Sequence, residues 1–155
     1  MEITGEWLGS IVYGKQYRDY EGEVLLFEMI LSQDSDKITG ESRDISGLGK
    51  NDSVAAIEGE FNRGSRHLNF IKSYQKTVQY SWSGKRKVYK ENSGSKIYYK
   101  GKFNDDLQKF EGNWKIRRTR KLLFFELTFS VGEGTWSMKR KVSKLITQNL
   151  TTLKT

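Results

Sequence analysis

A five-residue pattern recurs along the chain: an apolar residue, then glycine two positions later, then an aromatic residue two positions after that. Residues 3–7, 57–61, 99–103 and 110–114 carry the pattern, and residues 38–42 repeat it with serine in the aromatic place. The three defined positions share one face of a β-strand, because side chains alternate along a strand. A glycine that faces inward lets the strand bend and leaves room for a ring. The pattern is typical of a small closed barrel, with packing in a β-sandwich as the alternative.

The rest of the chain supports this prediction, because short runs of alternating apolar and polar residues follow one another almost throughout. The predicted strands span residues 3–13, 22–32, 37–44, 54–62, 66–74, 77–83, 96–104, 108–117, 122–131 and 134–141. Turn-forming residues separate the strands at 34–36, 63–65, 92–94, 104–106 and 132–133, and residues 45–52 are typical of a mobile loop.

We therefore predict an all-β fold: a single antiparallel up-and-down (meander) β-barrel of eight to ten strands over residues 1–141. Residues 142–155 are predicted to form a C-terminal tail or a short amphipathic helix. Apolar residues between Val142 and Leu153 follow helical spacing there, although the threonines weaken that prediction.

Composition excludes several classes of protein. The 155 residues suit one domain, and the chain contains no cysteine, which excludes a disulfide scaffold, a cysteine-ligated zinc site and a thiol nucleophile. We expect a cytoplasmic protein, since this composition is compatible with a reducing compartment and the first residues do not resemble a signal peptide. No apolar run approaches the roughly 20 residues of a membrane-spanning helix, so we expect no membrane span.

Catalysis has little support in the sequence. The single histidine, His67, falls on the outer face of its predicted strand, so histidine-based triads and multi-histidine metal sites are excluded. The glycines at 47 and 49 are too few for a phosphate-binding loop. We predict a protein that is not an enzyme and that has no metal or other cofactor.

Both ends of the predicted barrel resemble the calycin group, which comprises lipocalins, fatty-acid-binding proteins and avidins. Gly5 and Trp7 match the lipocalin-type Gly-x-Trp, and Trp136 with Arg140 resembles the closing strand, whose basic residue covers that first tryptophan. The Thr-Gly-x-aromatic rhythm is similar to avidin, although residues 39–44 lack the tyrosine that avidins place against biotin. The chain resembles more loosely the β-barrel sensor domain of anti-phage effectors that bind cyclic oligonucleotides. These resemblances imply a barrel that binds a small ligand.

Strand alternation also predicts which polar side chains enter the barrel. If the apolar residues of the third, fifth and sixth predicted strands point inward, several polar or aromatic residues share their faces. These predicted ligand-binding residues are Ser42, Asp44, Lys72, Tyr74, Tyr80 and Trp82. Lys72 would meet an anionic group, and the aromatic residues could stack on a planar ring. The alternative is that Lys72 and Asp44 only pair with each other at a barrel mouth, since a buried charge needs a partner.

The net charge of +8 hides a division along the chain. Residues 1–62 carry five basic and 13 acidic side chains, a net charge of −8, whereas residues 63–155 carry 22 basic and six acidic side chains, a net charge of +16. The division predicts an acidic and a basic side, which indicates solvated faces, an anionic partner for the basic side, or head-to-tail self-association into a homo-oligomer.

Three clusters concentrate the basic charge, at residues 85–90, 117–121 and 139–144, and the first two read as hairpin tips or loops. They are either solvated turns or contacts for phosphates. The predicted surface anion-binding residues are Arg117, Arg118, Arg120 and Lys121.

The sequence thus predicts non-enzymatic binding of a small anionic or aromatic, nucleotide-like ligand inside the barrel. The alternative is a protein- or nucleic-acid-interaction module that uses its basic outer face, with a barrel packed solid.

Overall fold

The structure is a computed structural model that describes residues 1–74, 76–80, 86–90 and 96–142. Within these ranges, the side chains of 76–80, 86–90, 118–122, 125–127 and 129 are not described. The strands are β1 (Gly5–Tyr13), β2 (Val24–Asp34), β3 (Lys37–Gly47), β4 (Ala55–Asn62), β5 (His67–Tyr74), β6 (Lys76–Tyr80), β7 (Arg86–Lys90), β8 (Lys96–Asn104), β9 (Lys109–Leu122) and β10 (Phe125–Arg140).

Eight of these strands close into one antiparallel barrel, in the order β1-β10-β9-β8-β5-β4-β3-β2 and back to β1. Strands next to each other in the chain are also neighbours in the barrel, except where β6 and β7 are inserted between β5 and β8 as a separate two-stranded hairpin. The predicted all-β fold with a single antiparallel meander barrel is confirmed, and the barrel has eight strands. Residues 143–155, which belong to the predicted C-terminal tail or short amphipathic helix, lie outside the described residues.

The core follows the predicted alternation. Inward-facing residues along β2 and β3 are buried while their neighbours are exposed, and the same period holds on β4 and β5. Large aromatic rings occupy the interior, among them Trp7, Trp114 and Trp136, which are at most 2% exposed. Burial of this apolar surface supplies the main stabilisation of the barrel.

The repeated glycines perform the predicted task of making room for rings. A Cβ on Gly101 of the repeat would lie 2.6 Å from Cζ2 of Trp136. Gly134, which is outside the repeat, makes room in the same way, because a Cβ there would lie 2.7 Å from Nε1 of Trp114. Trp136 therefore packs against bare backbone of β8, which lies beyond β9 in the sheet, and Trp114 packs against bare backbone of the adjacent strand β10. The indole nitrogen of Trp114 donates to the carbonyl oxygen of Val12, and that of Trp136 donates to the carbonyl oxygen of Lys100, so the buried N–H groups are satisfied.

Several predicted boundaries are wrong, chiefly near the end of the chain. Residues 122–131 and 134–141 are not two strands: β10 runs without a break past the predicted turn at 132–133, where a shift of register between Ser130 and Gly132 marks a bulge instead. A bulge and a turn share the same glycine signal, because both relax the strand geometry.

Other boundaries differ as well. β3 continues to Gly47, so the predicted mobile loop at 45–52 begins later. β7 was not predicted, and the predicted turn at 92–94 lies outside the described residues. A 3-10 helical segment, Lys15–Tyr20, connects β1 to β2.

One end of the barrel is closed by the N-terminal segment. Ile3 is fully buried, and the carbonyl oxygen of Ile3 accepts a hydrogen bond of 2.9 Å from the indole nitrogen of Trp7. The guanidinium of Arg140 lies 4.7 Å from the Trp7 ring and donates to the carbonyl oxygens of Thr4 and Glu2. The cation–π contact that the calycin resemblance implies is therefore present.

Among the described residues, no helix has the length and apolar character that crossing a membrane requires.

Candidate functional site

The other end of the barrel, which we call the mouth, is where β1 ends and β2 begins. Three chain segments meet there: the 3-10 segment Lys15–Tyr20, the connection from β3 to β4, and the start of the inserted β6–β7 hairpin. The β9–β10 hairpin also extends from the mouth, because residues 117–130 pair across the two strands beyond the last β8–β9 pair, Ile97 with Ile116. The mouth therefore gathers the irregular and inserted parts of the chain around the open end.

A cavity of about 220 Å³ lies inside the mouth. Its walls combine aromatic rings with a small polar cluster, and they are formed by Ile11, Tyr13, Tyr17, Leu25, Asp44, Gly49, Asn51, Lys72, Tyr74, Ile97, Tyr99, Trp114 and Ile116. The barrel is thus hollow at this end, although its centre is filled by aromatic side chains.

The polar cluster is centred on the carboxylate of Asp44. Lys72 donates from Nζ to Oδ1 of Asp44 over 2.7 Å, and the Tyr74 hydroxyl lies 2.8 Å from both carboxylate oxygens. The backbone N–H of Asn51 donates to Oδ2 over 3.0 Å. These contacts compensate the buried negative charge, and two chain segments supply them: β5 and the connection from β3 to β4.

Burial sets the protonation behaviour of the site. Desolvation lowers the pKa of Lys72, while the charge and hydrogen bond of Asp44 act in the opposite direction. Desolvation also raises the pKa of Tyr74, and the neighbouring carboxylate raises it further. The pKa of Tyr99 is raised for the same two reasons, so Tyr74 and Tyr99 keep their protons at neutral pH.

The aromatic wall is formed by rings from three elements. Tyr13 and Tyr17 meet edge to face with centroids 4.7 Å apart, and Tyr13 stands at 88° to the Trp114 ring. The Tyr13 hydroxyl donates to the carbonyl oxygen of Leu48, which fixes the connection from β3 to β4 over the mouth. Tyr13 is therefore held between Trp114 of β9 and the connection from β3 to β4.

Of the six predicted ligand-binding residues, the structure brings three together, since Asp44, Lys72 and Tyr74 all line the cavity. Ser42 is also buried, but it lies one inward position deeper along β3, beside Met29 and Ala55. Among the described residues its hydroxyl has no hydrogen-bond partner. Tyr80 falls within β6, where side chains are not described, and Trp82 lies outside the described residues.

Four aromatic residues that line the cavity were not among the predicted site residues. Tyr13, Tyr99 and Trp114 carried a signal, because alternation places each of them on an inward face. Tyr17 had none, since it comes from the 3-10 segment, to which strand alternation does not apply.

The predicted surface residues Arg117, Arg118, Arg120 and Lys121 lie in strand β9 and not in a loop or hairpin tip, which corrects the prediction. The polar, basic run was predicted as a loop because it has no alternating apolar residues. In the structure, β9 continues through this run beyond the end of the barrel, paired with β10. Arg117 is exposed, and its guanidinium lies 5.3 Å from the ring of Tyr98. The side chains of the other three are not described.

Two larger depressions, of about 590 and 610 Å³, lie near Arg140 at the closed end and on the adjacent outer wall. Both are open to solvent. The ion pair of Arg66 with Asp105 in the first depression is exposed, whereas the polar cluster of the mouth is buried. The mouth is therefore the stronger candidate site.

Comparison of the chain with protein-family models, with curated proteins and with solved structures gives no match.

Proposed function

We propose that this protein binds, without catalysis, a small planar aromatic ligand that carries an anionic group, a nucleotide-like molecule being the most concrete version. The observation that carries the proposal is the cavity at the mouth, where an aromatic wall faces a buried polar cluster that keeps hydrogen-bonding capacity. Ligand sites commonly combine apolar walls with a few fixed polar groups in this way.

The size of the cavity limits what it can enclose. Its volume of about 220 Å³ lies below the roughly 300–1,000 Å³ of sites that bury a drug-sized molecule. One ring system such as a nucleobase is the appropriate guest. The remainder of a nucleotide would therefore lie outside the mouth.

The walls favour a flat guest. Tyr13, Tyr17 and Trp114 line the cavity next to one another, so aromatic rings from three elements border it. A base that stacks on an aromatic side chain gains on the order of 1–3 kcal/mol.

The polar cluster suits hydrogen bonding better than it suits binding of a full anionic charge. Lys72 and Asp44 neutralise each other, so the pair is close to electrically neutral. Lys72 carries three N–H groups and Asp44 occupies one of them, which leaves donors for an acceptor on the ring edge. The Tyr74 oxygen keeps lone pairs that can accept from a ring N–H.

The anionic group of the ligand would then meet the basic chain segments outside the mouth. β9 lines the cavity as far as Ile116 and continues directly into the stretch 117–121, which holds three arginines and one lysine. Phosphate recognition by arginine is strong, because the guanidinium donates two parallel hydrogen bonds.

The sequence resemblances support the same class of function. Calycin barrels and the barrel sensors of anti-phage effectors bind small molecules, and this chain forms a closed eight-stranded antiparallel barrel of that general architecture. Membership of either group is part of the proposal.

The test is isothermal titration calorimetry with a fixed panel of probes: the four nucleoside 5′-monophosphates, 3′,5′-cyclic AMP and a cyclic dinucleotide. Tyr17→Ala removes one wall of the cavity, and Tyr20→Ala is the matched control in the same 3-10 segment, where Tyr20 is 54% exposed. We expect Tyr17→Ala to weaken the tightest probe about 5- to 150-fold, as loss of one stacking partner should. Tyr20→Ala should leave its affinity within about twofold.

Native mass spectrometry of freshly purified protein complements the titration, because a retained molecule reports its own mass. The proposal is wrong if no probe binds and the native mass equals the denatured mass. It is also wrong if Tyr17→Ala and Tyr20→Ala weaken the tightest probe equally. Trp82→Ala extends the test to the predicted residue outside the described ranges.

A further inference from the structure

We propose that the outer face of β8 and β9 is a binding surface for single-stranded nucleic acid, separate from the cavity. The surface consists of Lys96, Tyr98, Lys100 and Lys102 on β8, and Lys115 and Arg117 on β9.

Strand alternation places these six side chains together on the outside of the barrel. Their inward neighbours Ile97, Tyr99, Trp114 and Ile116 line the cavity, so the residues between and beside them face outward. The register pairs Tyr98 directly with Lys115, with Lys96 and Lys100 two positions away on either side along β8. The result is a continuous basic wall around one aromatic ring.

Most of this charge has no acidic partner among the residues that the structure describes; Lys115 is the exception, since its Nζ lies 3.6 Å from a carboxylate oxygen of Glu133. Among the described residues, no carboxylate lies within ion-pair distance of Lys96, Lys100, Lys102 or Arg117. Glu111, which is paired with Lys102 in the register, is already engaged: it bonds Lys109 over 2.7 Å and Asn104 over 2.8 Å, and those hydrogen bonds lower its pKa. The surface is therefore a strong source of positive potential.

Spacing favours a polymer over a small anion. Alternate residues on a strand are about 6.8 Å apart, so Lys96, Lys100 and Lys102 form an extended line of charge. A small anion would meet one or two of these cations, whereas a phosphate backbone can meet several and release its counterions.

The ring at the centre favours nucleic acid over an acidic protein. The Arg117 guanidinium lies 5.3 Å from the Tyr98 ring, which makes a combined cationic and aromatic platform. Platforms of this kind stack unpaired bases, and only a single strand offers a free base face. An acidic peptide would form ion pairs with the lysines but would have no planar group to stack on this platform.

A second copy of the chain is a poorer occupant, although its acidic side is exposed. Glu58 and Glu60 face outward on β4, but Lys37 lies opposite Glu60 in the neighbouring strand β3. Residues 1–62 carry a net charge of −8 against +16 for the remainder, so one acidic side neutralises only half of the basic charge.

Fluorescence anisotropy with labelled dT20, U20 and a 20-base-pair duplex tests the proposal at several salt concentrations. We expect the single strands to bind more tightly than the duplex. The plot of log affinity against log salt should have a slope near −3, as for about four neutralised phosphates.

Charge reversal supplies a matched comparison. The variant Lys100→Glu with Lys102→Glu changes the net charge by the same amount as Lys37→Glu with Arg43→Glu, whose residues are exposed and face outward on β3. We expect the β8 variant to lose at least tenfold in affinity and to reduce the salt slope by about 1.4. The β3 variant should stay within about threefold of wild type. Equal losses from both variants would overturn the proposal in favour of a general charge effect.

The platform has its own test. Tyr98→Leu keeps every charge and should weaken binding of dT20 about 5- to 150-fold. An unchanged affinity, or competition by polyglutamate at the same concentration of charge, would overturn recognition of nucleic acid. Tyr17→Ala should leave dT20 binding unchanged, so failure of this surface and failure of the cavity are distinguished.

Discussion

Lys72 on β5 and Asp44 on β3 form an ion pair of 2.7 Å across the interior of the barrel, with both side chains only 2% exposed. Strand β4 lies between β3 and β5 in the sheet, so the pair bridges over one strand. Tyr74, two residues beyond Lys72 on the same inward face, completes the contact with the carboxylate. The interaction ties the third and fifth strands together at the mouth.

The first prediction concerns the loss of one partner of this pair. Lys72→Met removes the cation but keeps the aliphatic volume, and it leaves the Asp44 carboxylate buried without a counter-charge. We expect a loss of about 3–5 kcal/mol in the free energy of unfolding at pH 7, measured by urea denaturation.

The double variant Asp44→Asn with Lys72→Met is the control, because it removes both charges. It should recover at least half of the lost stability, since the asparagine carbonyl can still accept from Tyr74. A single variant that loses under about 1 kcal/mol would show that the pair is solvated in solution. A double variant that is no more stable than the single variant would lead to the same conclusion.

How far the sequence predicts this site depends on the element that carries each residue. Alternation along regular strands places Asp44, Lys72 and Tyr74 on inward faces, and in the structure all three line the cavity. Alternation does not apply to Tyr17 in the 3-10 segment, or to the loop that brings the N–H of Asn51 to the carboxylate. Such residues are positioned by tertiary contacts alone.

The fold was predictable for a related reason, and its errors have a physical cause. The repeated inward glycines and alternating apolar residues both require a bent and closed sheet, which the structure forms. The errors lie where strands continue beyond the barrel or bend at a bulge, as in β9 and β10. There no buried face imposes alternation, and glycine marks a bulge as readily as a turn.

The second prediction uses the buried phenol of Tyr99. Desolvation, reinforced by the negative charge of Asp44, raises its pKa above the usual value near 10. Above pH 10 the unfolded chain releases this proton while the folded protein retains it, so stability falls as the pH rises. Between pH 10 and 11.5, wild type should lose about 1.5 kcal/mol more than Tyr99→Phe.

Urea denaturation at each pH measures this difference. The lowered pKa of Lys72 makes stability change with pH in the opposite direction, and subtraction of the two curves removes that contribution. Wild type and Tyr99→Phe should differ by under about 1 kcal/mol at pH 7, where the phenol is protonated in both states. Parallel curves above pH 10 would contradict a raised pKa.

The third prediction tests why the repeat needs glycine. Gly101 and Gly112 are paired across β8 and β9, and a Cβ on Gly112 would lie 2.5 Å from the Cα of Gly101. Gly112→Ala must therefore push two paired backbones apart, and we expect a loss of at least about 2 kcal/mol on urea denaturation.

Gly64→Ala is the matched control, because its new methyl group would meet Asn62 Oδ1 at an ordinary 3.5 Å in an exposed turn. Its stability should stay within about 0.5 kcal/mol of wild type. Equal effects of the two substitutions would mean that glycine is present in the repeat for chain flexibility and not for close approach.

The fourth prediction concerns the closed end, where Arg140 covers Trp7 at 4.7 Å and donates to two carbonyl oxygens of the N-terminal segment. Arg140→Lys keeps the charge but cannot reach both Thr4 and Glu2 in the same planar geometry, so it should lose about 1–2 kcal/mol. Arg140→Met also removes the cation–π contact and should lose more. Lys139→Arg, next to it on the exposed face, should change little.

Hydrogen exchange locates the effect of the Arg140 variants. The Ile3 amide, which donates to the Gln33 side chain, should exchange faster in both variants. The exchange rates of core amides in β4 should change only as far as the global stability changes. Unchanged exchange at Ile3 would show that the N-terminal segment is held by burial of Ile3 and not by the arginine.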